Sequence, residues 1–133
     1  MRQPARDETR DLVGRRLYSV VFVEDYIQLL FDPDPDQDGA PPHLDFFVLP
    51  TVVLAQSSFA PTDERWARAL TALIGSTVLA FRTSPEAGLE LRLDTGTVSL
   101  QANPEFDAAV EVALLDVHGT WDVWRPGERP FKR

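Results

Sequence analysis

Apolar and polar positions alternate along this chain in short runs, a pattern that predicts a protein built mainly of antiparallel strands. The runs that favour strands are residues 17–23, 26–32, 44–48, 51–55 and 77–82. Residues 89–101 have the clearest hairpin pattern. Pairing Asp94 with Thr97 around a Thr95-Gly96 turn puts Leu91 and Leu93 on one face, with polar side chains on the other.

One segment has helical periodicity instead. Trp66, Ala69, Leu70 and Leu73 follow one another at the spacing of a single helix face, which predicts a helix over residues 63–74 that ends at Gly75. The stretch 105–116 fits both periods. We interpret residues 109–116 as a strand that pairs with 120–124, and a helix over the same stretch stays open as the alternative.

These elements predict an α+β fold: a mostly antiparallel, curved sheet or half-barrel with one main helix. At 133 residues the chain suits a single domain, which would bury roughly two-thirds of its extended surface. We expect residues 1–10 to be frayed and residues 126–133 to form a flexible tail.

The two halves of the chain also share a weak sequence similarity. Leu12-Val13-Gly14 precedes one strand and hairpin, and Leu73-Ile74-Gly75 precedes another. Asp32 and Asp94 end the corresponding strands at almost the same separation as the two glycines. A duplicated β-unit and a chance similarity between amphipathic strands both explain this pattern.

Composition and charge narrow the function classes. The chain has no Cys, which excludes disulfides and thiolate chemistry, and its net charge of −8 argues against nucleic acid and anionic membranes as partners. A basic protein partner is the electrostatically favoured alternative. The sequence has neither a signal-peptide pattern nor a membrane-length apolar stretch, so a cytoplasmic location is expected.

Acidic residues concentrate between positions 17 and 64, where nine carboxylates occur without one Lys or Arg. Four of them lie in the run DPDPDQDG, and we predict these for partner binding: Asp32, Asp34, Asp36 and Asp38. Trp121 and Trp124 should face opposite ways on a strand, one in the core and one exposed. We assign Trp124 as the exposed partner-binding anchor. The preferred hypothesis is therefore a non-enzymatic, immunity- or adaptor-like interaction protein.

The acidic run also matches part of a calcium loop. Asp34, Asp36, Asp38 and Asp45 occupy positions 1, 3, 5 and 12 of that spacing, with Gly39 at position 6. An Asp at position 12 and a Pro at position 8 depart from the pattern. No cofactor or metal is therefore assigned, and a calcium-stabilised fold stays a further alternative.

No grouping typical of catalysis is complete in the sequence, so no catalytic residue is assigned. Ser57-Ser58 lacks the surroundings of a nucleophile and is expected in a loop or cap. The glycines form no phosphate loop. The alternative function is a small-molecule binder or enzyme that uses the concave face of the sheet, with Tyr26, Asp25 and His43 as candidates. The basic tail, RPGERPFKR, also allows a head-to-tail homo-oligomer.

The segment LVGRRLYSVVFVEDYIQLLFD, the later Pro50 and a helix ending in LIG resemble a family of small, uncharacterised actinobacterial proteins. The resemblance is strongest over residues 12–32. It implies no catalytic residues, because that family has no assigned activity. The DPDPDQDG run departs from the family's shorter loop.

Overall fold

Strands make up most of the fold in the computed structural model, which describes residues 10–35, 40–84, 86–101, 111–125 and 131. The ten described strands are β1 (Leu17–Val23), β2 (Tyr26–Phe31), β3 (His43–Phe46), β4 (Thr51–Leu54), β5 (Ser57–Phe59), β6 (Val78–Ser84), β7 (Gly88–Leu93), β8 (Gly96–Leu100), β9 (Ala113–Val117) and β10 (Thr120–Trp124). A 3₁₀ turn at Arg10–Leu12 and the helix α1 (Trp66–Thr71) complete the described elements.

The strands form two five-stranded antiparallel sheets. The first has the order β1-β2-β3-β9-β10, and the second has the order β5-β4-β8-β7-β6. The predicted antiparallel, sheet-rich architecture is confirmed, although two sheets stand where the sequence predicted one curved sheet. The strand alternative for the later segment is confirmed from Ala113 onward, whereas residues 102–110 lie outside the described part of the chain.

The two ends predicted to be frayed or flexible fall almost entirely outside the described residues. Of the segments 1–10 and 126–133, the structure describes Arg10, in the 3₁₀ turn, and Phe131. The ring of Phe131 lies 5.9 Å from that of Phe81 and packs against the core. The expectation for the remaining residues of both segments stays a prediction.

The helix is shorter than predicted. Residues 63–74 were expected to be helical, but α1 has six residues. Asp63 Oδ1 accepts the Arg65 backbone N–H at 2.8 Å, which fixes a turn before the helix begins. After Thr71 the N–H groups of Leu73 and Ile74 bond to carbonyls three residues earlier, so the periodicity continues as tighter turns. An α+β fold with one main helix is thus only loosely matched.

The predicted hairpin has the right faces and the wrong register. Leu91 pairs with Val98 and Leu93 pairs with Gly96, two residues from the expected register, so the turn is at Asp94-Thr95. Gly96 is the first residue of β8, where the backbones of β8 and β4 approach closely. A Cβ on Gly96 would lie 2.6 Å from the carbonyl oxygen of Val53. The glycine that suggested a turn is required by strand packing instead.

Strand β5 is a second departure, since Ser57 and Ser58 were expected in a loop or cap. Val52 pairs with Phe59 and Leu54 pairs with Ser57, which makes residues 55 and 56 the turn of a short hairpin. Ala55 accommodates that turn with a φ of 54°. Its sequence has no Gly or Asn-Gly signal, so local turn chemistry did not indicate the hairpin.

The two halves of the chain follow the same path. In each half three strands form a meander and the next two form a hairpin that joins the other half's sheet: β4–β5 lies beside β8, and β9–β10 lies beside β3. The register also shifts at matching places, directly after Leu17 in β1 and directly after Val78 in β6, which are the first residues of those strands.

The sheets meet where β1 and β6 begin. Arg16 and Thr77 form an isolated antiparallel bridge. Around it the hydrogen bonds are reciprocal, because the Leu17 N–H donates to Ser76 O and the Val78 N–H donates to Arg15 O, at 2.8 and 2.9 Å. The buried apolar residues of both sheets then form one hydrophobic core.

Candidate functional site

One face of the first sheet packs against the core. The opposite face is called the outer face. On β3, Leu44 and Phe46 are fully buried in the core, so His43 and Asp45, which alternate with them, lie on the outer face. Asp116 on β9 is the cross-strand partner of His43 and lies on the same face. Strand pairing therefore joins residues from distant parts of the sequence.

These three residues form the His43 cluster: His43, Asp45 and Asp116. The imidazole Nδ1 lies 2.8 Å from Asp45 Oδ1, and Nε2 lies 3.6 Å from Asp116 Oδ2. Asp45 is only 6% exposed, whereas Asp116 is half-buried and its Oδ1 also accepts the Gly119 N–H at 3.2 Å. The ring is thus held between two carboxylates, one of them buried.

The two carboxylates favour the charged form of the ring. The hydrogen bond to Asp45 is the main reason that the pKa of His43 is raised above its usual value, and the charges of Asp45 and Asp116 act in the same direction. Partial burial of the imidazole opposes this shift. The fold therefore extends the imidazolium form toward neutral pH.

We expect the free energy of unfolding to fall as pH rises through the raised pKa of His43. A raised folded-state pKa contributes stability that is fully present below the unfolded value, about 6.5, and is lost as pH rises through the folded value. Urea unfolding at about pH 6 and about pH 8 checks this in the protein and in His43→Gln, which hydrogen-bonds but does not titrate. An equal pH dependence in both would contradict a role for His43.

The second histidine lies close to the same end of the sheet. His118 occupies the β9–β10 turn with a φ of 58°, and its Nε2 is 3.4 Å from Asp34 Oδ2. Arg15 holds Asp34 from the other side, with its Nη1 at 3.1 Å from Oδ1 and its Nη2 donating to Oδ2 at 3.2 Å. The hydrogen bond from Arg15 is the main reason that the pKa of Asp34 is lowered.

The described part of the acidic run is compensated within the chain. Asp32 accepts a hydrogen bond from Arg16 Nε at 3.1 Å, and Arg15 Nη1 donates to the Asp32 carbonyl oxygen at 2.9 Å. The structure thus brings Asp32 and Asp34 to arginines just before β1. Asp36 and Asp38 lie outside the described residues.

Asp45 does not lie in a loop as the calcium spacing requires. It is a residue of β3, and its carboxylate contacts His43. Within the described ranges, no group of three or more His, Cys, Asp or Glu side chains is arranged to hold a metal ion. A calcium site stays a prediction, because Asp36 and Asp38 fall in the gap between those ranges.

The two tryptophans of β10 face opposite ways, as predicted, but the exposed one was chosen wrongly. Trp124 is 1% exposed, and Trp121 is 60% exposed. Trp124 pairs with Ala113, whose side chain points into the core, whereas Trp121 pairs with Asp116 on the outer face. A side chain buried like Trp124 offers no docking surface in the folded protein, so Trp121 replaces it as the candidate anchor.

The residues named for small-molecule chemistry are not brought together. The ring of Tyr26 lies 5.6 Å from that of Phe47, tilted by 49°, near the other end of the outer face. It is four residues from Leu30, the neighbour of His43, or about 13 Å along β2. Asp25 is exposed in the turn between β1 and β2.

The second sheet provides an internal comparison, because its strands repeat the same path. The positions in it that correspond to His43, Asp45, Asp116, His118 and Trp121 are Thr97, Ser99, Val53, Ala55 and Ser58. None of these carries an ionisable or aromatic side chain. The histidines, their carboxylates and the exposed indole are therefore specific to the first sheet rather than a requirement of the fold.

The described part of the chain contains no helix that is both long and apolar enough to cross a membrane. Comparisons of the chain with family models, with curated proteins and with solved structures found no match. The resemblance to small actinobacterial proteins stays a prediction, and the site has to be interpreted from its own geometry.

Proposed function

We propose that this chain is a cytoplasmic, non-enzymatic interaction protein that binds a basic segment of another protein around Trp121. The exposed indole carries this proposal. At 60% exposure, Trp121 presents a large apolar ring to solvent from the last strand of the first sheet. Exposed tryptophans on a rigid element are frequent anchors of protein interfaces.

Charge around the indole favours a cationic partner. Asp116 lies directly across from Trp121 in the β9–β10 ladder, so a carboxylate stands beside the indole on the outer face. The net charge of −8 adds a field that attracts basic molecules over a longer range. A Lys or Arg side chain can stack on the ring face while its charge approaches the carboxylate.

The geometry of His43 favours binding over acid–base catalysis. Its Nδ1 is engaged by Asp45 at 2.8 Å, which is the orientation expected of a catalytic base. However, Nε2 is directed toward Asp116 at 3.6 Å, so a carboxylate already faces the nitrogen that would act on a substrate. The cluster is better suited to fixing the charge and position of Asp116 beside the indole.

Selection from a library of random displayed peptides tests this proposal, with counter-selection against Trp121→Ser. We expect enriched peptides to be rich in Lys and Arg. Their affinity should fall at high salt, and by about 30-fold in Trp121→Ser, because a buried aromatic anchor is commonly worth about 2 kcal/mol.

Leu79→Ser is the matched control, since Leu79 is 49% exposed on the second sheet. It should leave peptide affinity unchanged. Enrichment of acidic or neutral peptides, or no peptide that distinguishes the protein from Trp121→Ser, would overturn the proposal.

A further inference from the structure

We infer that the basic segment binds as an added antiparallel strand along β10. This inference rests on the proposed function and specifies how its partner is recognised. Among the described strands, β10 has β9 as its one neighbour, so it forms an end of the first sheet. Strand addition to such an edge is a recurrent way of binding extended peptides.

The hairpin geometry sets which backbone groups face outward. Val117 and Thr120 flank a two-residue turn in which His118 and Gly119 both have positive φ, 58° and 78°. In such a turn the flanking residues form a hydrogen-bonded pair, and the next pair does not. The N–H and C=O of Trp121 therefore point away from β9, toward the position of an added strand.

The added strand would bring a side chain beside the indole. A residue that exchanges both hydrogen bonds with Trp121 has its Cα about 5.5 Å away, with its side chain on the same face of the sheet. A cation there lies within reach of the ring face, and Asp116 follows on the next strand. Backbone pairing and cation recognition thus act at the same residue.

The equivalent end strand of the second sheet, β5, differs from β10 in its length and in the residue that stands in place of Trp121. It has three residues, and Ser58 occupies the position that Trp121 occupies in β10. Phe59, the last residue of β5, pairs with the fully buried Val52 and packs against the core, so β5 presents no aromatic ring on its outer face. Short edges resist strand addition, whereas β10 has five residues and an exposed Trp.

A basic segment of a different protein suits β10 better than a second copy of this chain. Two copies would each carry a charge of −8, so their association along β10 would be opposed by electrostatic repulsion. Alternating Lys or Arg with β-prone residues satisfies both the outward backbone groups and the carboxylate. The inferred partner is therefore an extended, basic, proline-free segment.

Removing one backbone hydrogen-bond donor from β10 tests whether the peptide binds as an added strand. Replacing Trp121 by its α-hydroxy acid converts the amide to an ester, which removes the outward N–H and keeps the indole. With a basic peptide from the selection as probe, we expect affinity to fall about fivefold, as for one lost hydrogen bond. The same replacement at Ser58, the equivalent position in β5, should leave affinity unchanged.

Two results separate the inference from the proposal beneath it. A basic peptide that depends on the Trp121 side chain but binds the ester equally well, or that tolerates a central Pro, would overturn strand addition and leave the proposed function standing. A library without any Trp121-dependent basic peptide would overturn both.

Discussion

Trp124→Ala should lower the free energy of unfolding by about 3–5 kcal/mol, the usual cost of removing a buried tryptophan side chain. Trp124 is 1% exposed, and it pairs in β10 with Ala113, which is fully buried. Truncation leaves a cavity between the edge of the first sheet and the core. Since small domains are commonly stable by about 5–15 kcal/mol, such a loss threatens folding at physiological temperature.

Trp121→Ala is the matched control for this prediction. It removes the same side chain three residues away, but Trp121 is 60% exposed, and its loss should change stability by no more than about 0.5 kcal/mol. Urea unfolding of both variants gives the comparison directly. A larger loss for Trp121→Ala than for Trp124→Ala would mean that the two faces of β10 are assigned the wrong way round.

The strands were predictable from the sequence because their signal is local. β1 has the predicted bounds, and β2 and β6 have nearly the predicted bounds, since alternation of apolar and polar residues within one short run is sufficient to indicate a strand. The bound of α1 was not predictable in the same way. Apolar spacing up to Leu73 is compatible with both a helix and the tighter turns that follow Thr71.

Features that depend on partners far away in the sequence were not predictable. The hairpin register depends on Gly96 packing against Val53, which belongs to a strand from a much earlier part of the chain. The exposed tryptophan depends on how β10 pairs with β9, because alternation alone says only that Trp121 and Trp124 differ. Both errors are errors of pairing rather than of secondary structure.

The site follows the same rule. His43 and Asp45 are two residues apart, a spacing that places both side chains on one face of a strand. No local pattern indicated that Asp116 and His118 would lie near His43. β3 and β9 become neighbours only because the β9–β10 hairpin joins the first sheet. The Arg15 contact with Asp34 likewise joins the segment before β1 to the loop that follows β2.

The repeated path of the two halves explains why the site is found on one sheet. Each sheet receives a hairpin from the opposite half of the chain, so the fold can be stable with an ordinary polar outer face, as positions Thr97 and Ser99 illustrate. The first sheet departs from this at His43 and Asp45. A duplicated β-unit in which one copy carries the His43 cluster is consistent with both the shared path and this difference.

The His43 cluster gives the second large expected effect, because Asp45 depends on the imidazole. His43→Leu would leave a carboxylate that is 6% exposed without the ring nitrogen now 2.8 Å away. We expect the free energy of unfolding to fall by about 2–4 kcal/mol, since removing one member of a buried charged pair strands the other. Urea unfolding at neutral pH measures this loss.

The double variant His43→Leu/Asp45→Leu should recover most of that stability. Leu30 is one of the two cross-strand neighbours of His43, and Leu114 is one of the two of Asp45, so each new leucine would pack beside an apolar side chain on the outer face. Replacing a buried pair by apolar side chains is often neutral or better, and the cost comes from breaking the pair. A double variant no more stable than His43→Leu would contradict a stranded Asp45 carboxylate as the cause of the loss. Recovery to the stability of the unchanged protein would show that the fold does not need the pair for its stability.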